Sequence, residues 1–417
     1  MRIDFLKPTP LLVGFLCGLA VPSFVYGRAV LALPLLAAVL ILFLLPKRGT
    51  YWRAMIEKAG TPIGVLFLIT LVLWLPSMFI SPHPLRSFET WIRIPVFVGL
   101  ITLFWALLSR DRAALSLALR VLIVANAISV VFALSSLTFL PEILSLARLS
   151  GWSAMPYEGF RPPDLIKAFA SVGVLLVPVL MWAGRILGGR WQMLTTANAI
   201  GLIAIVWITF NRSAMAGLLM MVVAGGILIM ILRRNVKTNM VICVAFIALF
   251  VAILLWLYTT RGYIVAPADT VAILPPWLID YQRQTIWAHS IDMAMRSPWF
   301  GNGINVINLL PGADVAMPRN TLNIIPSHPH NWLVEVFAET GVFGSMALVT
   351  LVVVLCLKLA GEYLKSGETA FFAALLVNVG YWSIGLLNVS FWSAWWQISY
   401  LLLTAICLAG LRPSGQN

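Results

Sequence analysis

The stretch IIPSHPHNWLVEVFAETGVFG, residues 324–344, gathers groups that can move protons in a chain with few of them. The chain has only four histidines, and His328 and His330 stand here on either side of Pro329. Proline keeps the residue before it extended, so Pro326 and Pro329 place a helix start at about His330 or Asn331, with the helix running to Lys358. A helix N-terminus carries about half a positive charge. That charge lowers the pKa of a nearby histidine below its usual ~6.5 and leaves a neutral imidazole able to accept a proton. His330 is the candidate base and His328 the alternative beside it; the plain structural reading of either is a helix-capping or interfacial histidine. Glu335 and Glu339 share a face of this helix, but on a regular helix both point away from His330. Glu339 is expected to support the site by pairing with an arginine on another helix.

Two arginines sit where arginine needs a reason. Arg212, in ITFNRSAMAGL, lies in a turn so short that it is pinned at a membrane edge. It reads either as a snorkelling side chain among lipid headgroups or as a fixed guanidinium for a phosphate or diphosphate. Arg283, in YQRQTIWAHSIDMAMRSPWFGNG, falls with Trp287, Ser290 and Ala294 on the apolar face of a helix wound at about 100° per residue. Thr285, His289, Asp292 and Arg296 share the polar face, where His289 is expected to be solvated. An arginine on the apolar face requires an anion: a substrate, or an internal partner such as Asp280 or Glu339. A third cationic edge, Arg148, Arg161 and Lys167, lies near Trp152, Tyr157 and Phe160 and suits a glycan or phosphate as well as it suits headgroups. No carboxylate cluster or histidine spacing calls for a metal.

These groups must be carried by membrane helices. The chain of 417 residues is 61% hydrophobic and only 10% charged, against about 25% charged in soluble proteins, and its mean hydropathy is +0.96. A spanning helix needs roughly 20 apolar residues. The expected fold is all-α, a polytopic helical bundle forming one integral membrane domain over 1–417. About twelve spans are expected, with cores near 10–26, 29–46, 62–80, 92–109, 114–135, 165–183, 192–210, 213–232, 238–258, 341–358, 369–387 and 392–410. Basic residues such as Lys58, Arg110, Arg112, Arg185, Arg190 and Lys365 fall on one side when both termini are cytoplasmic, and Arg28, Arg86, Arg93 and Arg212 remain outside. The net charge of +13 is then an orientation signal and a contact with anionic lipid, not a nucleic-acid surface.

Two outer segments exceed a short turn: 136–164, and 259–340 between spans nine and ten. The second is too apolar for disorder and is expected to fold as a periplasmic cap. FWSAWWQ, at the head of the last span, reads as part of the aromatic belt. The N-terminus is expected to be an uncleaved first span; Leu16 is too large for lipoprotein processing at Cys17. The four cysteines lie far apart inside apolar runs and read as small packing residues.

The twelve spans, the outer segment near the C-terminal third and HPHNWLVEVFAETGVFG together resemble the O-antigen ligase/polymerase superfamily. The H-N-x-x-L…E-x-G-x-x-G pattern is the most specific part, joined by RQTIW…PWFGNG and NRS over about residues 145–345. One departure is RPPDLIKAF, where Asp164 follows Pro163 in place of an expected Pro-Asn pair. The resemblance implies an inner-membrane glycosyltransferase, inverting and free of metal and other cofactors, that takes glycan from an undecaprenyl-diphosphate carrier at the periplasmic face. In the ligase branch the acceptor is a sugar hydroxyl of lipid A–core. Arg212 and Arg283 would then hold the diphosphate, His330 would take the acceptor's proton, and Arg161, Glu339 and His328 would contact substrate or support the site. An O-antigen polymerase or a protein O-oligosaccharyltransferase shares these motifs and differs in acceptor. From other classes, a transporter for an anionic or lipid-linked solute would need arginines along a pore and no His330. An envelope scaffold would tolerate loss of both Arg212 and His330.

Overall fold

The computed structural model describes residues 9–46, 48–139, 162–233, 235–259, 274–276, 278–317 and 322–411. With no water in a bilayer core to bond the backbone, apolar segments must satisfy their own N–H and C=O groups as helices. The described residues accordingly form helices and no named strand. In chain order they are α1 (Pro10–Ala20), a 3-10 turn (Pro22–Tyr26), α2 (Ala32–Leu44), α3 (Arg48–Ala59), α4 (Pro62–Ile80), α5 (Pro84–Arg110) and α6 (Arg112–Thr138). They continue with α7 (Pro162–Leu187), α8 (Arg190–Ile208), α9 (Arg212–Arg233), α10 (Val236–Thr259), α11 (Tyr281–Arg296), α12 (Trp332–Ser366), α13 (Thr369–Gly385) and α14 (Ala394–Ala409).

Eight of these are long and apolar enough to cross a membrane, or nine if α2 and α3, bent by 111°, count as one broken span. Three shorter apolar helices, α1, α13 and α14, bring the described total to eleven, or to twelve with the broken α2–α3 pair, against about twelve spans expected. The chain is thus a polytopic helical bundle. α3 was not expected from the sequence; it follows α2 where only a connection between spans was read. Helix starts follow local chemistry. Pro10, Pro62 and Pro84 occupy first-turn positions, where a missing N–H costs nothing, and Asp111 caps α6 by accepting from the N–H of Ala114 (2.9 Å).

The main core packs α1, α2, α5, α6, α7, α8, α13 and α14 around buried Leu, Ile, Val and Ala. Two smaller clusters lie at one end of the bundle. One joins Trp74, Ile304, Trp332, Phe391 and Trp392. The other joins Ile286, Met293, Val306, Ile307, Leu310 and Ala338 and forms the interior of the cap carried by α11. The opposite end is basic: Lys58 lies over the Trp105 ring at 4.8 Å, and Arg112 donates to the carbonyls of Ala409 and Leu411 (3.2 and 2.6 Å).

Candidate active site

The helix carrying the histidine motif starts later than its sequence suggests. Asn331 is the cap: its Oδ1 accepts from the N–H groups of Leu333 and Val334 (3.0 and 3.3 Å), so α12 begins at Trp332. His330 stands before it in the left-handed region, φ 57°, a conformation uncommon for a residue with a Cβ and concentrated at functional sites. Two anchors hold it there. The Trp287 indole N–H donates to the Pro329 carbonyl (2.9 Å), tying the segment to α11. The Asn388 carbonyl, in the loop between α13 and α14, meets His328 Nε2 and His330 Nδ1, each at 2.8 Å.

That single carbonyl fixes both tautomers. A carbonyl only accepts, so each of these ring nitrogens carries the hydrogen. His328 Nδ1 is then a lone pair that accepts from Ser327 Oγ at 2.8 Å. His330 Nε2 is a lone pair on a half-buried ring, 4.2 Å between centroids from its neighbour. Burial lowers the His330 pKa below its ordinary 6.5, and the Arg283 charge adds to that, while the bond to Asn388 and the charge of Asp280 oppose it. His328 is pushed down to about 3 by burial first, then by His330, with Arg28 and Arg283 adding to it. Burial is the chief cause that favours the neutral imidazole; the helix dipole acts from a helix that starts beyond it.

Arg283 and Arg28 act on this pair from separate elements, and Arg212 acts on Arg283. Arg283 sits on α11 on the same face as Trp287, and its Nε lies 3.4 Å from Asp280 Oδ2, the carboxylate that also caps the helix. Its pKa is lowered by burial, and further by the charge of Arg212. Arg212 opens α9, in a turn fixed by Asn211. The Asn211 Oδ1 accepts from the Ala214 N–H (3.1 Å), and its Nδ2 donates to the Lys167 carbonyl and Ser171 Oγ on α7 (2.8 and 3.0 Å). Arg28, from the turn after the 3-10 segment, lies over the Trp395 ring at 5.4 Å. Sequence reasoning placed Arg28 among outer basic residues without giving it a site role. Its signal was its rarity in a short outer turn.

The two other motifs explain each other. α12 breaks at Gly341 (φ 68°, ψ −170°), in a backbone region open essentially to glycine alone. The break frees carbonyls that PWFGNG then occupies: the N–H groups of Asn302 and Gly303 donate to Ala338 and Glu339 (3.1 and 3.0 Å). The N–H of Val342 returns to the Pro298 carbonyl (2.8 Å). A Cβ on Gly341 would meet the Trp299 carbonyl at 2.3 Å. Gly341→Ala is therefore expected to lower stability by about 1–3 kcal/mol from backbone strain, with the clash added. Thermal unfolding of the purified variant in detergent measures it, and an unchanged midpoint would show that the break is not required.

Glu339 does not pair with an arginine. It accepts from the backbone N–H groups of Asn305 (2.6 Å), Val306 (2.9 Å) and Ile307 (2.9 Å), and from the Trp392 indole, because the cap loop folds directly over it. Arg161 lies outside the described residues, and Lys167 is paired with Asp164 (2.6 Å). His289 is half-buried under Gly312, not solvated. The FWSAWWQ aromatics are mostly interior: Trp392 and Trp396 are buried, and Trp396 stacks on Tyr381 (4.9 Å). Asn388 was missed altogether, since its contribution is a backbone carbonyl that no residue type announces. A cavity of about 1410 Å³ between α7, α8, α9, α10 and α13 is lined by apolar groups such as Met181, Met221 and Phe246 and holds none of these polar residues.

Residues 197–349 match the family model described as O-antigen ligase. Comparison with curated proteins gives no match. The matched segment contains Arg212, Arg283, His328, His330, Glu335 and Glu339; Arg28 and the 388–391 loop lie outside it.

Proposed function

We propose, from the match of residues 197–349 to the O-antigen ligase family model, that this chain transfers O-antigen glycan from undecaprenyl diphosphate to a sugar hydroxyl of lipid A–core at the periplasmic face of the inner membrane. The observation that carries this reading is the His330 ring, held through Nδ1 by the Asn388 carbonyl and lying within reach of the Arg283 charge. The acceptor oxygen attacks the anomeric carbon while its proton passes to His330 Nε2. The bond from that carbon to the diphosphate oxygen breaks, and its electron pair leaves with the diphosphate. Single displacement inverts the anomeric centre. Arg212 and Arg283 hold the diphosphate and stabilise its developing charge, helped by the positive N-terminus of α9. Trp287 and Glu339 support the site through backbone contacts, and no metal or other cofactor takes part.

Both substrates are lipid-anchored, which suits a site at the end of a membrane bundle. Both termini are assigned to the cytoplasm, where the basic ends of α5, α6 and α8 face anionic lipid. The test is transfer of labelled glycan from a purified undecaprenyl-diphosphate donor to lipid A–core by the purified protein. Label appearing only in lengthened carrier-linked glycan, or only on protein, would replace the ligase reading with polymerase or protein glycosylation. Arg212→Lys is expected to weaken donor use, since an ammonium keeps the charge and loses the bidentate fork. A donor KM equal to that of the unaltered protein would remove Arg212 from diphosphate binding.

A further inference from the structure

Glu335 has no role in the reaction as drawn, yet it is buried (1% exposed) one turn inside α12. Its two carboxylate oxygens are both used on a different segment of the chain. Oε1 accepts from the Ser390 hydroxyl at 2.6 Å, and Oε2 accepts from the Phe391 N–H at 2.7 Å. These donors belong to the loop between α13 and α14. Two residues before Ser390 lies Asn388, whose carbonyl takes the N–H of both histidines. A carboxylate on the helix that follows His330 therefore grips, by two short bonds, the loop that orients His330. The circuit closes on itself: histidine segment, Asn331 cap, Glu335, Ser390, Asn388, histidine.

We propose that Glu335 is a positioning residue for His330: by holding Ser390 and Phe391 it places the Asn388 carbonyl so that Nδ1 of His330 keeps the hydrogen and Nε2 faces the acceptor. This rests on His330 being the base. The loop has other anchors: the Leu387 N–H donates to the Ile384 carbonyl (3.0 Å) just before Asn388, and the rest act further along it. Gln397 Nε2 donates to the Phe391 carbonyl (2.7 Å), and Arg93 donates to the Trp392 carbonyl (2.6 Å). Glu339 accepts from the Trp392 indole. Of the contacts that follow Asn388, the one from Ser390 lies nearest to it in the chain. A free carbonyl can turn away by rotation of one peptide plane, and His330 would then exchange between two neutral tautomers, one of which offers Nδ1 to the loop and hides the lone pair.

The test uses the full chain in detergent with ¹⁵N-labelled histidine. The chain has only four histidines, so the His330 signals are identified by their loss in His330→Ala. The unaltered protein should give the signature of a single Nδ1–H tautomer for His330. Glu335→Leu keeps bulk and removes both acceptors. Ser390→Ala removes only the hydroxyl. Both should yield mixed tautomer signals and lower kcat on the order of 10-fold to 100-fold, with donor KM unchanged. A His330 signature that stays wholly Nδ1–H in both variants would overturn the proposal whatever happens to the rate, since a merely structural glutamate lowers the amount of folded enzyme without changing the tautomer. A wild-type signature of Nε2–H would overturn it equally. Full transfer activity in His330→Ala would instead remove the base assignment, a failure that the tautomer signals report separately.

Discussion

His330→Ala is expected to lower glycan transfer by about 10²–10⁴-fold, the range for loss of a positioned general base, at unchanged donor KM. In the proposed reaction the donor is held by cations on α9 and α11, so removing the imidazole should leave the diphosphate contacts in place. The same residue should govern the acid side of the pH profile. His330 must be neutral to take a proton, and burial with the Arg283 charge sets its pKa below 6.5. The rate should therefore be level at neutrality and fall only as pH drops through that lowered value. Full glycan ladders from membranes containing normal amounts of the alanine variant would remove His330 from the chemistry. A rate that keeps climbing above neutral pH would show that the base is a different group.

Arg283→Ala carries the second large effect, a loss of about 10²–10³-fold, as for removal of one donor to a developing oxyanion. Its side chain is one-quarter exposed and already faces Asp280 at 3.4 Å, so its positive charge is partly offset before substrate arrives. Arg212 adds a repulsive neighbour. Two guanidinium groups that repel each other gain from an anion bound near both. Arg283→Lys should keep part of the activity, because charge remains while the planar fork does not. The acid limb gives an independent check. Arg283 lowers the His330 pKa, so its removal lets that pKa rise and the limb should move to higher pH. Kinetics that change with no movement of the limb would show that the two residues do not share a site.

The membrane helices were legible in the sequence because apolar runs between prolines and charged turns leave the backbone little choice. The expected span boundary at 341 falls on the break in α12, since the polar ETG triplet interrupts the run there. Arg283 and Trp287 were legible as one face of α11, because helical spacing fixes azimuth without knowledge of the neighbours. What faced that side was hidden. Asn388 lies 58 residues beyond His330 and acts through a carbonyl. Glu339 looked like an ion-pair partner, yet its acceptors are filled by the backbone of residues 305–307. Both misses have one origin: side-chain chemistry can be read from sequence, while main-chain donors and acceptors become specific only once the loops are folded. The start of α12 shifted for a related reason, as Asn331 competes for the cap position and leaves His330 outside.

The break at Gly341 sorts α12 into a long apolar rod and a short N-terminal rod clamped to the segment around 298–307. A spanning helix answers a change in bilayer thickness by tilting. With a glycine joint between the rods, such tilting need not be passed to the segment bearing His330, whose bearing is set by Trp287 and Asn388. The His330 ring is thereby insulated from the mechanics of the lipid around it, so membranes of different thickness should leave the aim of the imidazole unchanged.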